Sequence, residues 1–326
     1  MCFSERSQKR DGEIMKKILV TPRGYAKYGQ EARKRLEALG FEMDINETGK
    51  PLPREVFIQK AKESTGIIVG VDELDKDLLA QCKDLKAIVK FGVGTDNIDV
   101  DYCKEHGIQV GRCLGTNSNA VAEYTIGMMF NCARFIVSDT MCVKNGGWDK
   151  PTGMELTGKK LGIIGFGNIG KQVARMGYGI GMQIYAYDAF DIPEEALQPY
   201  KAKKSNPEEI YKECDFITVH VPLTPETENM ISDEEFDKMK DTAILINAAR
   251  GGIVNEKALL KALKEKKIFA CASDVFTSEP PAKEDWVQEL LGMDNFILTA
   301  HIGSRSRESE INTVNRATDV MIDFLK

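Results

Sequence analysis

Histidine is scarce in this chain: His106, His220 and His301 are the only three in 326 residues. Proton transfer near neutral pH therefore has few places to reside. No two of the eight cysteines form a C-x-x-C pair, and their spacing is irregular. That argues against a structural zinc and against a disulfide scaffold, and it fits a reducing cytoplasm; no metal is expected. There is no basic excess either. Forty-four Lys and Arg against 50 Asp and Glu leave a net charge of −6, so nucleic acid is not expected as a partner. A long hydrophobic run is also missing. The most apolar stretch, Tyr124 to Val137, is interrupted by Asn131 and Arg134, so no membrane-spanning segment is expected. The first residues, MCFSERSQKRDGEI, have no apolar core and cannot serve as a secretory signal. Residues 1–14 are read as a disordered extension, with Met15 as the natural start.

What is present is organised around Lys160 to Asp188. The apolar run Leu161-Gly162-Ile163-Ile164 is short and branched enough for a buried strand. Gly165, Gly167 and Gly170 follow as G-x-G-x-x-G, then a helical segment, then a second apolar run from Gln183 to Tyr187 closed by Asp188. Such a turn gathers unpaired backbone N–H groups and the positive end of a helix at one point, which suits a pyrophosphate. Gly165 permits the sharp turn, Gly167 the approach of the ligand, and Gly170 the close packing of helix on strand. Asp188 stands where its carboxylate can accept from the hydroxyls of a ribose. It would repel a 2′-phosphate, and no Arg follows in Ala189-Phe190-Asp191, so NAD is preferred over NADP.

With 326 residues the chain can form two domains. In the first, strands are expected at Ile18–Val20, Phe41–Ile45, Gly66–Gly70, Leu85–Lys90 and Ile108–Val110. Helices are expected at Gln30–Leu39, with Leu36 and Leu39 on one face and Gly40 as the stop, and at Pro53–Lys62. One long helix is read from about Ala120 to Lys144, too apolar for one face to bury and so a candidate contact with another subunit. Further strands are expected at Asp215–Val221, Ala243–Asn247, Phe269–Asp274 and Phe296–Leu298, and Ser232-x-x-Glu235 is a capping box. Strands alternating with helices imply a parallel sheet covered on both faces. The division expected is 15–115 with 299–326 for a substrate domain, and 116–298 for the cofactor domain. The last helix, Ser306 to Leu325, returns to the first domain.

A dinucleotide implies hydride transfer without naming the substrate. His301 follows the strand Phe296–Leu298, at the sheet edge where open α/β folds bind ligands. Glu279 lies in the loop after Phe269–Asp274, opening on the same side. A carboxylate bonded to one imidazole nitrogen fixes the tautomer and leaves the other to shuttle a proton. Arg250 leaves the same edge after Ala243–Asn247, on a loop with Gly251 and Gly252, and its planar fork suits a carboxylate with a neighbouring carbonyl. His220, before Pro222, is read as lining the nicotinamide pocket. His106, at a helix end, is read as a surface residue.

These residues resemble the D-isomer-specific 2-hydroxyacid dehydrogenases over almost the whole chain from Met15. The resemblance rests on Lys90-Phe-Gly-Val-Gly-Thr-Asp-Asn-Ile-Asp99, Asn119-Ala-Val-Ala-Glu123, the glycine turn, Asn247 to Gly252, Asp274-Val-Phe276 with Glu279-Pro280, and His301-Ile-Gly303. It implies two Rossmann-like doubly wound parallel-sheet domains with the active site in the cleft between them, and a homodimer formed through the cofactor domain. It implies Arg250, Glu279 and His301 as the catalytic set, and Val93 and Gly94 as backbone donors to the substrate carboxylate. For NAD it implies Gly165, Gly167, Asn168, Ile169, Gly170, Asp188, His220, Pro222, Thr227, Ala248, Asp274 at the nicotinamide amide, and Gly303.

Within the family the chain looks most like short-type 3-phosphoglycerate dehydrogenases. Because it stops at Lys326, the regulatory domain of longer relatives, and control by serine through it, are not expected. Many phosphoglycerate-using relatives carry Arg-Ser after the third strand, where this chain has Gly70-Val71-Asp72-Glu73. Arg23 and Lys90, each at a strand end, are the candidate substitutes for binding a phosphate. Glyoxylate, hydroxypyruvate or another 2-oxo acid is the alternative substrate. Ala300 stands where the family usually has Pro. The rival from another class is a non-catalytic NAD(H)-sensing protein akin to transcriptional corepressors. Formate oxidation on the same fold ranks below both, because such relatives typically carry Gln where Glu279 stands.

Overall fold

A computed structural model of the chain describes residues 16–326. The expected N-terminal extension and the Met15 start lie outside the described residues. The chain divides into two compact units, one running to Thr116 and resumed at Glu310–Lys326, the other Asn117–Ser309.

The first unit holds five parallel strands: β1 (Lys17–Val20), β2 (Glu42–Ile45), β3 (Gly66–Val69), β4 (Ala87–Lys90) and β5 (Gln109–Arg112), in the order β2-β1-β3-β4-β5. Alternation along each strand sorts the apolar side chains onto two faces. Ile18, Val20, Ile68 and Val89 enter one core, and Leu19, Ile67, Val69 and Ile88 the other. Both faces need cover, and helices supply it. Phe57 and Ala61 from the Arg54–Lys62 helix pack on the second core. On the first lie Leu36 and the C-terminal helix Arg307–Leu325, through Val314, Ala317 and Met321. The Tyr25 hydroxyl, buried beneath that helix, is 2.8 Å from Thr318 Oγ1. Leu39 departs from expectation. The helix ends at Glu37, Gly40 takes φ +88°, and Leu39 is left in the turn, 47% exposed.

The second unit holds a seven-stranded parallel sheet: β6 (Lys160–Ile164), β7 (Gln183–Tyr187), β8 (Lys203–Lys204), β9 (Phe216–Val219), β10 (Ile244–Asn247), β11 (Ala270–Ser273) and β12 (Phe296–Leu298). Their order is β12-β11-β10-β9-β6-β7-β8. The winding reverses at β6, which pairs with β7 on one side and β9 on the other, so a switch point opens at its carboxyl end. The two-residue β8 had no signal in the sequence, being two exposed lysines. The capping box at Ser232 and Glu235 is formed, with Ser232 N donating to Glu235 Oε2 at 3.1 Å.

The expected single helix over 120–144 is two helices, Ser118–Arg134 and Ile136–Lys144, meeting at 60°. Phe135 between them has left-handed backbone, φ +56°, and its ring meets Phe269 edge-on at 5.6 Å. A left-handed residue ends the hydrogen-bond ladder, and apolar periodicity on either side carries no trace of it. No single described helix is long and apolar enough to cross a membrane. The chain also re-enters the first unit later than the sequence suggested, so residues 299–309, His301 among them, belong to the second unit.

Gly111 in β5 faces the C-terminal helix, where a Cβ would lie 2.4 Å from Val320 Cγ1 and 2.9 Å from Phe324 Cε2. Gly111→Ala is therefore expected to cost about 1–3 kcal/mol in urea unfolding by pushing that helix off the sheet. A change within about 0.5 kcal/mol would show that the helix yields without loss.

Candidate active site

The strand register of the second sheet sets the geometry of the site. Ile164 is opposite Tyr187 and Val219, Val219 opposite Asn247, Asn247 opposite Ser273, and Ser273 opposite Leu298. The next residue of each strand therefore leaves the sheet at one level: Gly165, Asp188, His220, Ala248, Asp274 and Thr299. Six segments that are far apart in sequence become one edge.

At the switch point Gly165 has φ +99°, and a Cβ there would meet the carbonyl of His220 at 2.6 Å. A Cβ on Gly170 would lie 2.1 Å from the Gly165 carbonyl oxygen, so the helix Asn168–Ile180 can begin that close to the strand only with glycine. A Cβ on Gly167 would meet nothing within 4 Å, so the turn faces open space. No side chain caps the helix that starts at Asn168 and Ile169, so its first amides are available to an anion. Asp188 accepts from Phe166 N at 2.7 Å through Oδ2 and from Phe190 N at 3.1 Å through Oδ1. The acid that was assigned to the ribose thus also fixes the glycine turn.

His220 Nε2 lies 2.9 Å from Thr218 Oγ1, while Nδ1 is buried and has no hydrogen-bond partner among the described residues. Burial pushes its pKa down to about 3, so the ring is neutral at ordinary pH. It can offer a hydrogen bond but not carry a proton back and forth. The Thr227 hydroxyl donates to the Pro222 carbonyl at 2.6 Å, closing the loop beyond it. An open glycine cradle, uncapped helix amides and an orphaned imidazole nitrogen beside them fit a dinucleotide.

Beyond β10 the buried Asn247 shapes the loop with its own side chain. Its Oδ1 accepts from Ala249 N at 3.1 Å and its Nδ2 donates to the Arg250 carbonyl at 3.0 Å. Arg250 Nη1 donates to the Ala249 carbonyl at 2.8 Å, which steadies the guanidinium. Gly251 lies against the next loop, where a Cβ would sit 2.2 Å from the Phe276 carbonyl. That loop carries Glu279. Its Oε1 accepts from Phe276 N at 3.2 Å, and its Oε2 is 2.9 Å from His301 Nδ1. Arg250, Glu279 and His301 are thus linked through contacting loops on one sheet edge, and Nδ1 is the ring nitrogen of His301 that meets the carboxylate.

His301 has left-handed backbone, φ +52°. Asp274, 3% exposed, holds it there. The Asp274 carbonyl accepts from His301 N at 2.9 Å; its carboxylate accepts from Ile302 N at 2.8 Å, Gly303 N at 2.7 Å and the Thr299 hydroxyl at 2.6 Å. Sequence reasoning gave Asp274 to the nicotinamide amide and missed this work on the turn. It also missed Thr299 and Tyr124, whose hydroxyls are 2.5 Å apart. A tyrosine on a helix with nine buried residues was the available signal, since a phenol hydroxyl taken out of water needs a partner.

In the first unit, Lys90 Nζ donates to the Gly70 carbonyl at 2.6 Å and to Asn97 Oδ1 at 2.5 Å. Asn97 also donates to the Asp72 carbonyl at 2.6 Å, and Arg54 binds the Glu73 carbonyl and Asp75. Val93 and Gly94 lie partly exposed in the loop after β4, and Arg23 is exposed at the start of the Arg23–Tyr28 helix.

A family model described as D-isomer specific 2-hydroxyacid dehydrogenase, NAD binding domain, matches residues 126–303. The chain belongs to the D-isomer-specific 2-hydroxyacid dehydrogenases, and its second unit is their NAD-binding domain. A D-3-phosphoglycerate dehydrogenase of Methanocaldococcus jannaschii is 41% identical over 91% of this chain and 55% of its own length. The chain therefore spans about half of that relative. A hydroxypyruvate reductase of Thermotoga maritima is 38% identical over 85% of this chain and 87% of its own. Among solved structures, a D-lactate dehydrogenase from Aquifex aeolicus, complexed with NAD and lactic acid, matches with a TM-score of 0.80 at 30% identity, covering 94% of this chain and 95% of that one.

Replacing Asp188 tests both of its tasks. Asp188→Ala is expected to weaken NADH binding, read by fluorescence titration, by about 10-fold or more, equivalent to about 1.4 kcal/mol. Asp188→Asn, which keeps an acceptor for Phe166 N, should fall between. Equal affinities for all three proteins would remove Asp188 from the cofactor site.

Proposed function

We propose that the chain is an NAD-dependent oxidoreductase that interconverts a small D-2-hydroxy acid and its 2-oxo acid. The observation that carries this reading is the 2.9 Å contact between His301 Nδ1 and Glu279 Oε2, on the sheet edge that also bears the glycine turn. NAD, when bound by the Gly165–Gly170 turn and Asp188, supplies the acceptor and donor of hydride. The protein's own groups do the rest. Glu279 fixes the His301 tautomer and stabilises the imidazolium, and His301 Nε2 takes the proton from the substrate hydroxyl or returns it to the carbonyl oxygen. Arg250 draws the substrate carboxylate and the neighbouring oxygen into one plane, which favours the polarised carbonyl.

Phosphoglycerate is the first candidate substrate, supported by the 41% identity to the archaeal dehydrogenase. One observation favours an unphosphorylated acid such as hydroxypyruvate or glyoxylate. Lys90, the basic group offered for a phosphate, is engaged with Gly70 and Asn97, and the loop it braces carries Asp72 and Glu73. Arg23 then remains as the cation for a phosphate. NADH consumption is to be followed with 3-phosphohydroxypyruvate, hydroxypyruvate and glyoxylate. Turnover of at least one is expected, with a loss of about 10³-fold in His301→Ala and NADH affinity nearly unchanged. No turnover of any 2-oxo acid would favour the dinucleotide-sensing alternative.

We also propose that the protein works as a homodimer through the second unit. No residue of the Ile136–Lys144 helix is buried, and Ile136, Val137, Met141 and Val143 are 48%, 42%, 51% and 42% exposed. Four exposed apolar side chains on one nine-residue helix call for cover. Sedimentation is expected to give a dimer, and Met141→Glu a monomer. A monomeric native protein at micromolar concentration would contradict it.

A further inference from the structure

The turn that presents His301 is gripped from a direction the reaction itself does not require. Tyr124 rises from the Ser118–Arg134 helix and touches the turn twice. Its hydroxyl is 2.5 Å from Thr299 Oγ1, and its ring lies 3.3 Å from where a Cβ on Gly303 would stand. Thr299 and Gly303 bracket His301 in sequence. Both are bound in turn by the buried Asp274, through a hydroxyl at 2.6 Å and a backbone N–H at 2.7 Å.

The direction of these bonds is determined. A carboxylate only accepts, so Thr299 must donate its one hydroxyl proton to Asp274 Oδ1. The Thr299 oxygen is then an acceptor, and the Tyr124 hydroxyl must donate to it. Burial pushes the Tyr124 phenol well above its usual pKa, so that proton is held throughout the working range. The chain Tyr124 → Thr299 → Asp274 therefore ends on a carboxylate already bound to Ile302 N and Gly303 N. Each bond in such a run polarises the next.

We propose that Tyr124, acting through Thr299 and Asp274, is a positioning residue that sets the place of the His301 imidazole against Glu279. The inference rests on the reading of His301 as the proton-transfer group. Its physical basis is the unfavourable left-handed backbone of His301: a residue at φ +52° stays there only while its neighbours are fixed. Loosening Thr299 frees the turn to relax toward an ordinary conformation and carries the imidazole away from Glu279 Oε2. Positioning errors of an ångström can cost about 100-fold in rate. Tyr124 keeps its ring on Gly303 in Tyr124→Phe, so that variant removes only the hydroxyl.

The test measures kcat, the 2-oxo acid KM, the NADH dissociation constant and the labelled His301 imidazole by NMR. In Tyr124→Phe, kcat is expected to fall about 10-fold, with the NADH dissociation constant unchanged and the Nδ1 proton signal shared with Glu279 displaced. Thr299→Val should behave alike, whereas Thr299→Ser, which keeps the hydroxyl, should retain native kcat. The double variant Tyr124→Phe/Thr299→Val should be no slower than Thr299→Val, because both break one chain. Native kcat and an unmoved imidazole signal in Tyr124→Phe would overturn the proposal, as would a lowered melting temperature with native kcat measured well below it. His301→Ala serves as the control. If it keeps turnover, the reading of His301 has failed. If it is inactive while Tyr124→Phe is native, only the role of Tyr124 has.

Discussion

A parallel ladder sends every strand out of the sheet at the same edge. That constraint creates the site. With β12, β11, β10, β9, β6 and β7 in one register, six chain segments reach one level together, and each delivers a single group there. An antiparallel pair would send its neighbours to opposite edges. The sequence can separate Gly165 from His301 by more than a hundred residues because register, not proximity along the chain, decides what meets.

Burial explains why the site is confined to that edge. The central strands β6, β9, β10 and β11 are buried along nearly their whole length and largely apolar, so charged groups stand beyond their ends. The free cysteines illustrate the point. Cys132 and Cys271 lie in the second unit's core clusters, and Cys82, Cys103 and Cys113 in those of the first. Burial pushes the thiols of Cys82, Cys103 and Cys113 up to about 11 and that of Cys132 up to about 12, away from the reactive thiolate. These five buried cysteines act as small hydrophobes.

Much of this was legible from residue order because period-two and period-3.6 patterns are local. Every strand but β8 was located to within a residue or two, and the glycine turn and the capping box formed as spacing suggested. The common sheet edge paired Glu279 with His301 in the sequence, the family resemblance agreed, and the geometry brings them into contact. What escaped was decided elsewhere in space. The break at Phe135 depends on one left-handed residue whose ring meets Phe269, more than a hundred positions away. Leu39 resembles a core residue by spacing, yet the helix ends before it. Lys90 looked like a free cation at a strand end until Gly70 and Asn97 were seen to hold its amine. Tyr124 gave no sign of its partner because Thr299 lies 175 residues on.

The division of labour around His301 follows from opposing demands. In the proposed reaction His301 exchanges a proton with the substrate and must stand open, and the side chains of His301 and Glu279 are 44% and 41% exposed. Exposed side chains are held weakly, because water competes for every bond they make. Accuracy has to come from beneath. Asp274, 3% exposed, makes its bonds out of water, and its carboxylate binds the Thr299 hydroxyl before His301 and the Ile302 and Gly303 amides after it rather than the imidazole itself. Fixing a left-handed residue costs on the order of 1 kcal/mol, and charge-assisted bonds to a buried carboxylate exceed that. The His301 ring can then stay accessible while its backbone is bound from beneath, and the Tyr124 helix extends that support into the core of the sheet.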